Sequence, residues 1–114
     1  MSEKIKILVV DDEKVIRDGC NRVLRGKGYD VITAENGRTA LDILAREPLD
    51  IILLDLKMPV MSGEEVLEIT GEKYPDIPVI IITGHGTVDT AVECMKKGAY
   101  DFITKPFQID QFLL

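Results

Sequence analysis

The chain has no tryptophan, a single histidine and only two cysteines, Cys20 and Cys94. Neither cysteine belongs to a CxxC pair, so a zinc or redox site built on thiols is not expected. We expect both thiols to be reduced and to lie in the core as small apolar residues. No apolar run is long enough to span a membrane, and the polar residues 1–4 do not resemble a signal peptide. These absences predict a cytoplasmic protein.

Positive charge is also scarce. Lys and Arg number 14 against 20 Asp and Glu, which gives a formal net charge of -6 over 114 residues. The excess of acid argues against direct binding to nucleic acid or to an anionic membrane, and it is too small to indicate disorder. The length is that of a single domain with one core, so we expect one domain over residues 1–114.

Five short apolar segments alternate with helical patterns along the chain. Strands are predicted near residues 5–10, 29–34, 49–55, 79–83 and 100–104. Each is followed by apolar residues at helical spacing. Strands that alternate with helices predict an α/β fold with a parallel sheet and helices on both faces. The fifth helix starts near Gln108 and has only about two turns, so we interpret it as truncated and place any output domain beyond residue 114.

Helix ends carry recognisable cap and stop signals. Asn36 predicts the start of the second helix, and the run Ser62-Gly63-Glu64-Glu65 predicts a capping box at the start of the third, which extends to about Lys73. Glycines at 26, 28 and 98 predict helix ends. The residues expected on the inner faces of the second and fourth helices are Ala40, Leu41, Leu44, Ala45, Val88, Ala91, Val92 and Met95.

Polar residues mark four of the five strand ends. They are Asp11 and Asp12 after the first strand, Asp55 at the end of the third, Thr83 at the end of the fourth and Lys105 after the fifth. The carboxyl ends of parallel strands form one edge, where open α/β sheets bind their ligands. Three carboxylates in one pocket repel one another, and a hard cation such as Mg2+ relieves that repulsion. The same groups suit phosphoryl transfer to a carboxylate nucleophile.

Each of these residues has an ordinary explanation when it is taken alone. An aspartate at a strand end is commonly a turn or cap residue, and Asp12 with Glu13 fits the acidic start of a helix. Lys105 alone is typical of a solvated loop lysine. His85 follows Thr83 in the next loop, where a lone histidine is more often exposed than a ligand or acid–base group. The inference of a site therefore depends on the convergence of several residues at one edge.

The motifs at this edge resemble those of the receiver domain of bacterial two-component response regulators, the CheY-like family. The matching segments are ILVVDDE at residues 7–13, LLDLKMPVMSG at 53–63, ITG at 82–84 and KPF at 105–107. The resemblance implies a doubly wound, five-stranded, flavodoxin-like (βα)5 sheet with strand order 2-1-3-4-5. Residues 82–107 are similar to the receivers of NtrC-like transcriptional activators, which implies an output that regulates transcription.

The resemblance also implies how the acids would act. Asp55 would be the phosphoacceptor. Asp12 and Asp55 would bind Mg2+ directly, with the backbone carbonyl of Lys57 as a third protein ligand. Asp11 would act mostly through a bound water. These roles make Asp55 the input of a phosphorylation switch.

Further residues would respond to the phosphoryl group. Thr83 would hydrogen-bond it, and Lys105 would pair with it beside a cis peptide bond at Pro106. Phe102 occupies the position of the switch aromatic, where many members carry tyrosine, so coupling here would run through packing. Alone, Phe102 is typical of a core aromatic. The surface that changes would be the fourth helix, fifth strand and fifth helix, which is also the expected face for a homodimer or partner.

The expected function is that of a phosphoacceptor in a phosphorelay, which takes its phosphoryl group from a sensor histidine kinase and controls an attached output domain. Such a domain catalyses only its own phosphorylation and dephosphorylation, so an enzyme with a turnover substrate is not expected.

The alternative is an aspartyl-phosphate phosphatase, a class that places a second acid two residues after its nucleophile, where Lys57 stands. A third alternative, an interaction module that takes no phosphate, is disfavoured by the complete polar set. A Rossmann domain is disfavoured because GxGxxG is missing after the first strand.

Overall fold

The computed structural model describes residues 4–84 and 88–104. In that part of the chain strands and helices alternate: β1 (Lys6–Val10), α1 (Lys14–Gly26), β2 (Asp30–Ala34), α2 (Gly37–Arg46), β3 (Ile51–Asp55), α3 (Gly63–Lys73), β4 (Val79–Thr83), α4 (Val88–Lys96) and β5 (Asp101–Thr104). The predicted fifth helix lies outside the described residues. Among the helices that are described, none is long and apolar enough to cross a membrane.

The strands form one five-stranded parallel sheet with the order β2-β1-β3-β4-β5. This confirms the predicted doubly wound, flavodoxin-like arrangement. Parallel pairing puts the carboxyl ends of all five strands on one edge. In the register of β1 and β3, Val10 pairs with Leu54. Asp11 and Asp55 are the next residues on the two strands, so the sheet itself brings them side by side.

The central strands are buried on both faces, which explains their continuous apolar sequences. Ile52 and Leu54 of β3 pack into a larger core with residues of α2, α3 and α4. Leu53, between them, points to the opposite face and packs in a second core with Cys20 of α1. Cys20 and Cys94 are both buried, as predicted. Burial raises the pKa of the Cys94 thiol, which favours its protonated form.

The predicted helix caps are confirmed by hydrogen bonds. The Asn36 side chain accepts from the Thr39 N–H at 2.8 Å. The Ser62 hydroxyl oxygen accepts from the Glu65 N–H at 3.2 Å, and the same hydroxyl donates to the Glu65 carboxylate at 3.4 Å. Each cap satisfies a backbone donor that the helix cannot pair internally. The caps fix where α2 and α3 begin.

Two predictions of inner-face residues are wrong. Ala45 is exposed and Ile43 is buried, because the buried stripe of α2 continues at a spacing of three to four residues and Ala45 falls beyond its flank. Val92 is 42% exposed whereas Cys94 is buried. α4 packs against β4 and β5 at one edge of the sheet, and among its described side chains Cys94 and Met95, not Val92, pack against the larger core.

Candidate functional site

Three carboxylates converge at the carboxyl edge of the sheet, as the strand ends predicted. One carboxylate oxygen from each of Asp11, Asp12 and Asp55 lies within 4.8 Å of the other two. Asp11 is fully buried, Asp55 is 4% exposed and Asp12 is exposed. Like charges this close repel one another, and burial weakens their hydration. A set of hard oxygen donors in this arrangement fits a divalent cation such as Mg2+.

Asp11 is held by hydrogen bonds through both its backbone and its side chain. Its N–H donates to the Ala34 carbonyl at 3.1 Å, and its Oδ1 accepts from the Glu13 N–H at 2.9 Å. Its carbonyl accepts from Nη1 of Arg17 at 2.8 Å. The bond from Glu13 closes a turn two residues ahead, which bends the chain sharply from β1 into α1. Asp12 lies in the middle of this turn, and its exposed side chain is at the opening of the pocket.

Asp55 is presented by a loop that folds back on itself. The Lys57 N–H donates to Asp55 Oδ1 at 3.3 Å, and the Gly63 N–H donates to the Leu56 carbonyl at 2.9 Å. The second bond closes residues 57–62 into a loop and brings the start of α3 against the end of β3. A Cβ at Gly63 would overlap the Asp55 carbonyl oxygen and lie 2.7 Å from the Leu56 Cα. Glycine is therefore required at this contact.

The outer part of this loop is a tight turn centred on Val60. The Met61 N–H donates to the Pro59 carbonyl at 2.8 Å, two residues back, and Val60 has a φ of 73°. A γ-turn with positive φ is rare and strained, more so for a β-branched residue. The Val60 side chain is 87% exposed, so burial does not offset the strain. No sequence pattern indicates this turn, because valine rarely adopts a positive φ.

The remaining predicted site residues are described only in part. Thr83 ends β4 and pairs with Thr104 of β5, which keeps its backbone at the same edge as Asp55. Phe102 is half-buried and packs against the larger core. The Thr83 side chain and all of His85, Lys105 and Pro106 lie outside the described residues. Their roles stay predictions.

Comparison with known proteins identifies the family. Residues 7–114 match the family described as response regulator receiver domain. A putative NtrX-like response regulator of Rickettsia bellii is 44% identical over 112 residues, which is 96% of this chain and 23% of that protein. The DNA-binding transcriptional regulator NtrC of Escherichia coli is 41% identical over 105 residues, which is 92% of this chain and 22% of that protein. The chain thus spans under a quarter of the length of these relatives.

Solved structures show the same fold. NtrX from Brucella abortus superposes with a TM-score of 0.92 at 35% identity, over 97% of this chain and 26% of that one. A CheY-like receiver domain protein from Methanospirillum hungatei superposes with a TM-score of 0.91 at 31% identity, over 97% of this chain and 89% of that one. Receiver domains are regulatory phosphoacceptors rather than conventional enzymes, and they generally use Mg2+ at an acidic pocket. The chain belongs to the response regulator receiver domain family of two-component signalling.

Proposed function

We propose that Asp55 is the phosphoacceptor of this domain. The observation that carries the proposal is the meeting of three carboxylates within 4.8 Å, with Asp55 on the central strand of the sheet. An oxygen of the Asp55 carboxylate attacks the phosphorus of a phosphohistidine, the P–N bond breaks, and the imidazole leaves with a proton from water. The product is an acyl phosphate on Asp55, which water later hydrolyses. The domain catalyses only these two reactions of its own side chain.

Mg2+ is the cofactor that fits this pocket. In the proposed site the carboxylates of Asp12 and Asp55 and the Lys57 carbonyl would hold the ion directly, and Asp11 would hold it through water. The ion would supply neutralisation of charge on the carboxylates and on the transferred group. Asp11 is fixed by its bonds to the turn before α1, so it holds its position before the ion arrives. The Lys57 N–H orients the Asp55 carboxylate.

The response to phosphorylation is proposed to run from β4 to β5. Thr83 hydrogen-bonds the phosphoryl oxygens and Lys105 pairs with them, next to a cis bond at Pro106. Movement of Thr83 frees space into which Phe102 rotates. Phe102 is half-buried at the larger core, so this coupling works through packing rather than through a hydroxyl bond. The switch changes the exposed surface near α4 and β5.

The face near α4 and β5 is the proposed contact surface for a homodimer or another partner. Val92 on α4 is 42% exposed, and Tyr100 just before β5 is 63% exposed. Exposed apolar side chains of this size are typical of protein contacts when they lie together on one face. The predicted fifth helix, which would complete the face, lies outside the described residues.

The proposed donor is a sensor histidine kinase. The proposed output is an attached domain beyond residue 114 that regulates transcription. The proposed location of the protein is the cytoplasm. The name of the Escherichia coli relative, a DNA-binding transcriptional regulator, supports an output of this class. The net charge of -6 indicates that the receiver itself does not contact nucleic acid. A membrane contact is not part of this proposal.

Phosphorylation by a small donor tests the proposed acceptor. Incubation with acetyl phosphate and Mg2+ should add the mass of one phosphoryl group to the intact chain, and a chelator should prevent the gain. Asp55→Asn should abolish it, whereas Asp76→Asn, an exposed aspartate in the turn after α3, should not. A wild-type chain that gains no mass, or an Asp55→Asn chain that still does, contradicts the proposal. Sustained hydrolysis of a phosphate ester would indicate the phosphatase alternative.

A further inference from the structure

Arg17 reaches from the end of the first turn of α1 back to the acid pocket. Its Nη1 donates to the Asp11 carbonyl at 2.8 Å, and the residue is half-buried. The carbonyl and the carboxylate of one aspartate are separated by only a few covalent bonds, so the guanidinium lies within about 7 Å of the Asp11 carboxylate. A positive charge therefore lies near the Asp11 carboxylate, which is one of the three acids of the pocket.

Two other basic residues of α1 have contacts elsewhere. Lys14 Nζ lies 2.6 Å from Asp18 Oδ2 on the exposed side of the helix, and this hydrogen bond lowers the pKa of Asp18. Arg25, in the last turn, donates to the Val31 carbonyl at 2.8 Å. Arg17 differs from both because its described bond goes to a residue of the pocket.

The start of α1 adds positive potential in the same direction. Its first turn contains no acidic residue, although its N-cap is Glu13, and the positive end of the helix dipole follows directly after Asp11 and Asp12. We propose that Arg17 is a counter-charge of the three-aspartate pocket, in addition to the proposed Lys105, and that it lowers the affinity of the pocket for Mg2+. The inference rests on the proposed binding of Mg2+ by Asp11, Asp12 and Asp55.

A resident cation has opposite effects on the two states of the pocket. It stabilises the metal-free state, in which three carboxylates repel one another, and it weakens the attraction for a second cation. At about 7 Å in a partly hydrated site, loss of the charge should tighten Mg2+ binding about three- to tenfold at low salt.

Substitutions at Arg17 separate its charge from its hydrogen bond. Arg17→Met removes the charge and keeps the length of the chain, while Arg17→Lys keeps the charge and loses the guanidinium. Mg2+ dissociation constants are measured by calorimetry at low and high salt, and thermal unfolding is followed with and without Mg2+. We expect Arg17→Met to bind Mg2+ about three- to tenfold more tightly at low salt, less so at high salt, and to unfold earlier than wild type without the ion. Arg17→Lys should resemble wild type.

Arg22→Met is the matched control, because Arg22 is exposed and lies more than a turn further along the same helix. It should leave Mg2+ affinity unchanged. Unchanged or weaker binding by Arg17→Met overturns the proposal, and so does an Arg17→Lys chain that behaves like Arg17→Met, because the effect would then belong to the bond with Asp11. If Arg17→Met does not fold, Arg17→Gln replaces it. A folded wild-type chain that binds no Mg2+ overturns the proposed metal site itself.

Discussion

The two segments that carry the aspartates reach the same pocket by different means. After β1 the chain turns into α1 within residues 11–13, and Asp11 is held there by Glu13 and Arg17. After β3 it uses the longer loop of residues 56–62, which closes where Gly63 bonds back to Leu56. Both segments contain side-chain hydrogen bonds. What differs is that the charge of Arg17 acts on the first segment, whereas the second depends on the close backbone contact at Gly63.

The stability of the site therefore has an electrostatic contribution near the turn after β1 and a steric contribution in the loop after β3. Charge near the turn after β1 responds to salt and to a bound cation, because both change the potential around the carboxylates. Steric contact in the loop after β3 does not respond to either. The loop also contains the strained turn at Val60, whereas in the turn after β1 no residue has a positive φ. Substitutions in the two segments should therefore differ in size, sign and dependence on salt.

Gly63→Ala should have the largest effect. The added methyl would overlap the backbone of Asp55 and Leu56, and neither can move without disturbing the end of β3. We expect the free energy of unfolding to fall by about 3 kcal/mol, at low and high salt alike, in a denaturant titration. Gly71→Ala in the same helix is the control, because nothing lies within 4 Å of the added methyl, and it should raise stability by about 0.5–1 kcal/mol. Equal effects at the two positions would contradict the close contact at Gly63.

Val60→Gly should change stability in the opposite direction. A left-handed conformation disfavours a residue with a Cβ by about 1–2 kcal/mol, and glycine loses about 0.5–1 kcal/mol more through its flexible unfolded state. We expect a net gain of about 1 kcal/mol in the free energy of unfolding. Val15→Gly, at a 73% exposed valine in the first turn of α1, should instead lose about 0.5 kcal/mol. A loss at both positions would show that the Val60 turn is not strained.

The parts of the site that the sequence could predict are those fixed by strand order. Asp11 and Asp55 end adjacent parallel strands, so their meeting follows from the sheet alone. The bond from Arg17 to Asp11 depends on how a long side chain folds back over its own helix, and no spacing rule indicates it. The positive φ of Val60 is a conformation that valine disfavours, so sequence patterns based on conformational propensity do not predict it. The strained turn at Val60 is an exposed departure from local propensity in the loop that carries Asp55, and such departures are expected near functional sites.

The helix cap at Ser62 provides the smallest and sharpest test of the comparison. Ser62→Ala removes the acceptor for the Glu65 N–H and should lower the free energy of unfolding by about 1 kcal/mol. Ser62→Gly should lower it by only a few tenths, because glycine is tolerated at this position. The lost bond from the Glu65 N–H joins neutral groups, and the hydroxyl bond to the Glu65 carboxylate is long at 3.4 Å and exposed. Most of the cost should therefore be the same at low and high salt, unlike the effect of Arg17→Met. A cost for Ser62→Ala that fades with salt would mean that charge also holds the loop after β3, and the distinction between the two segments would fail.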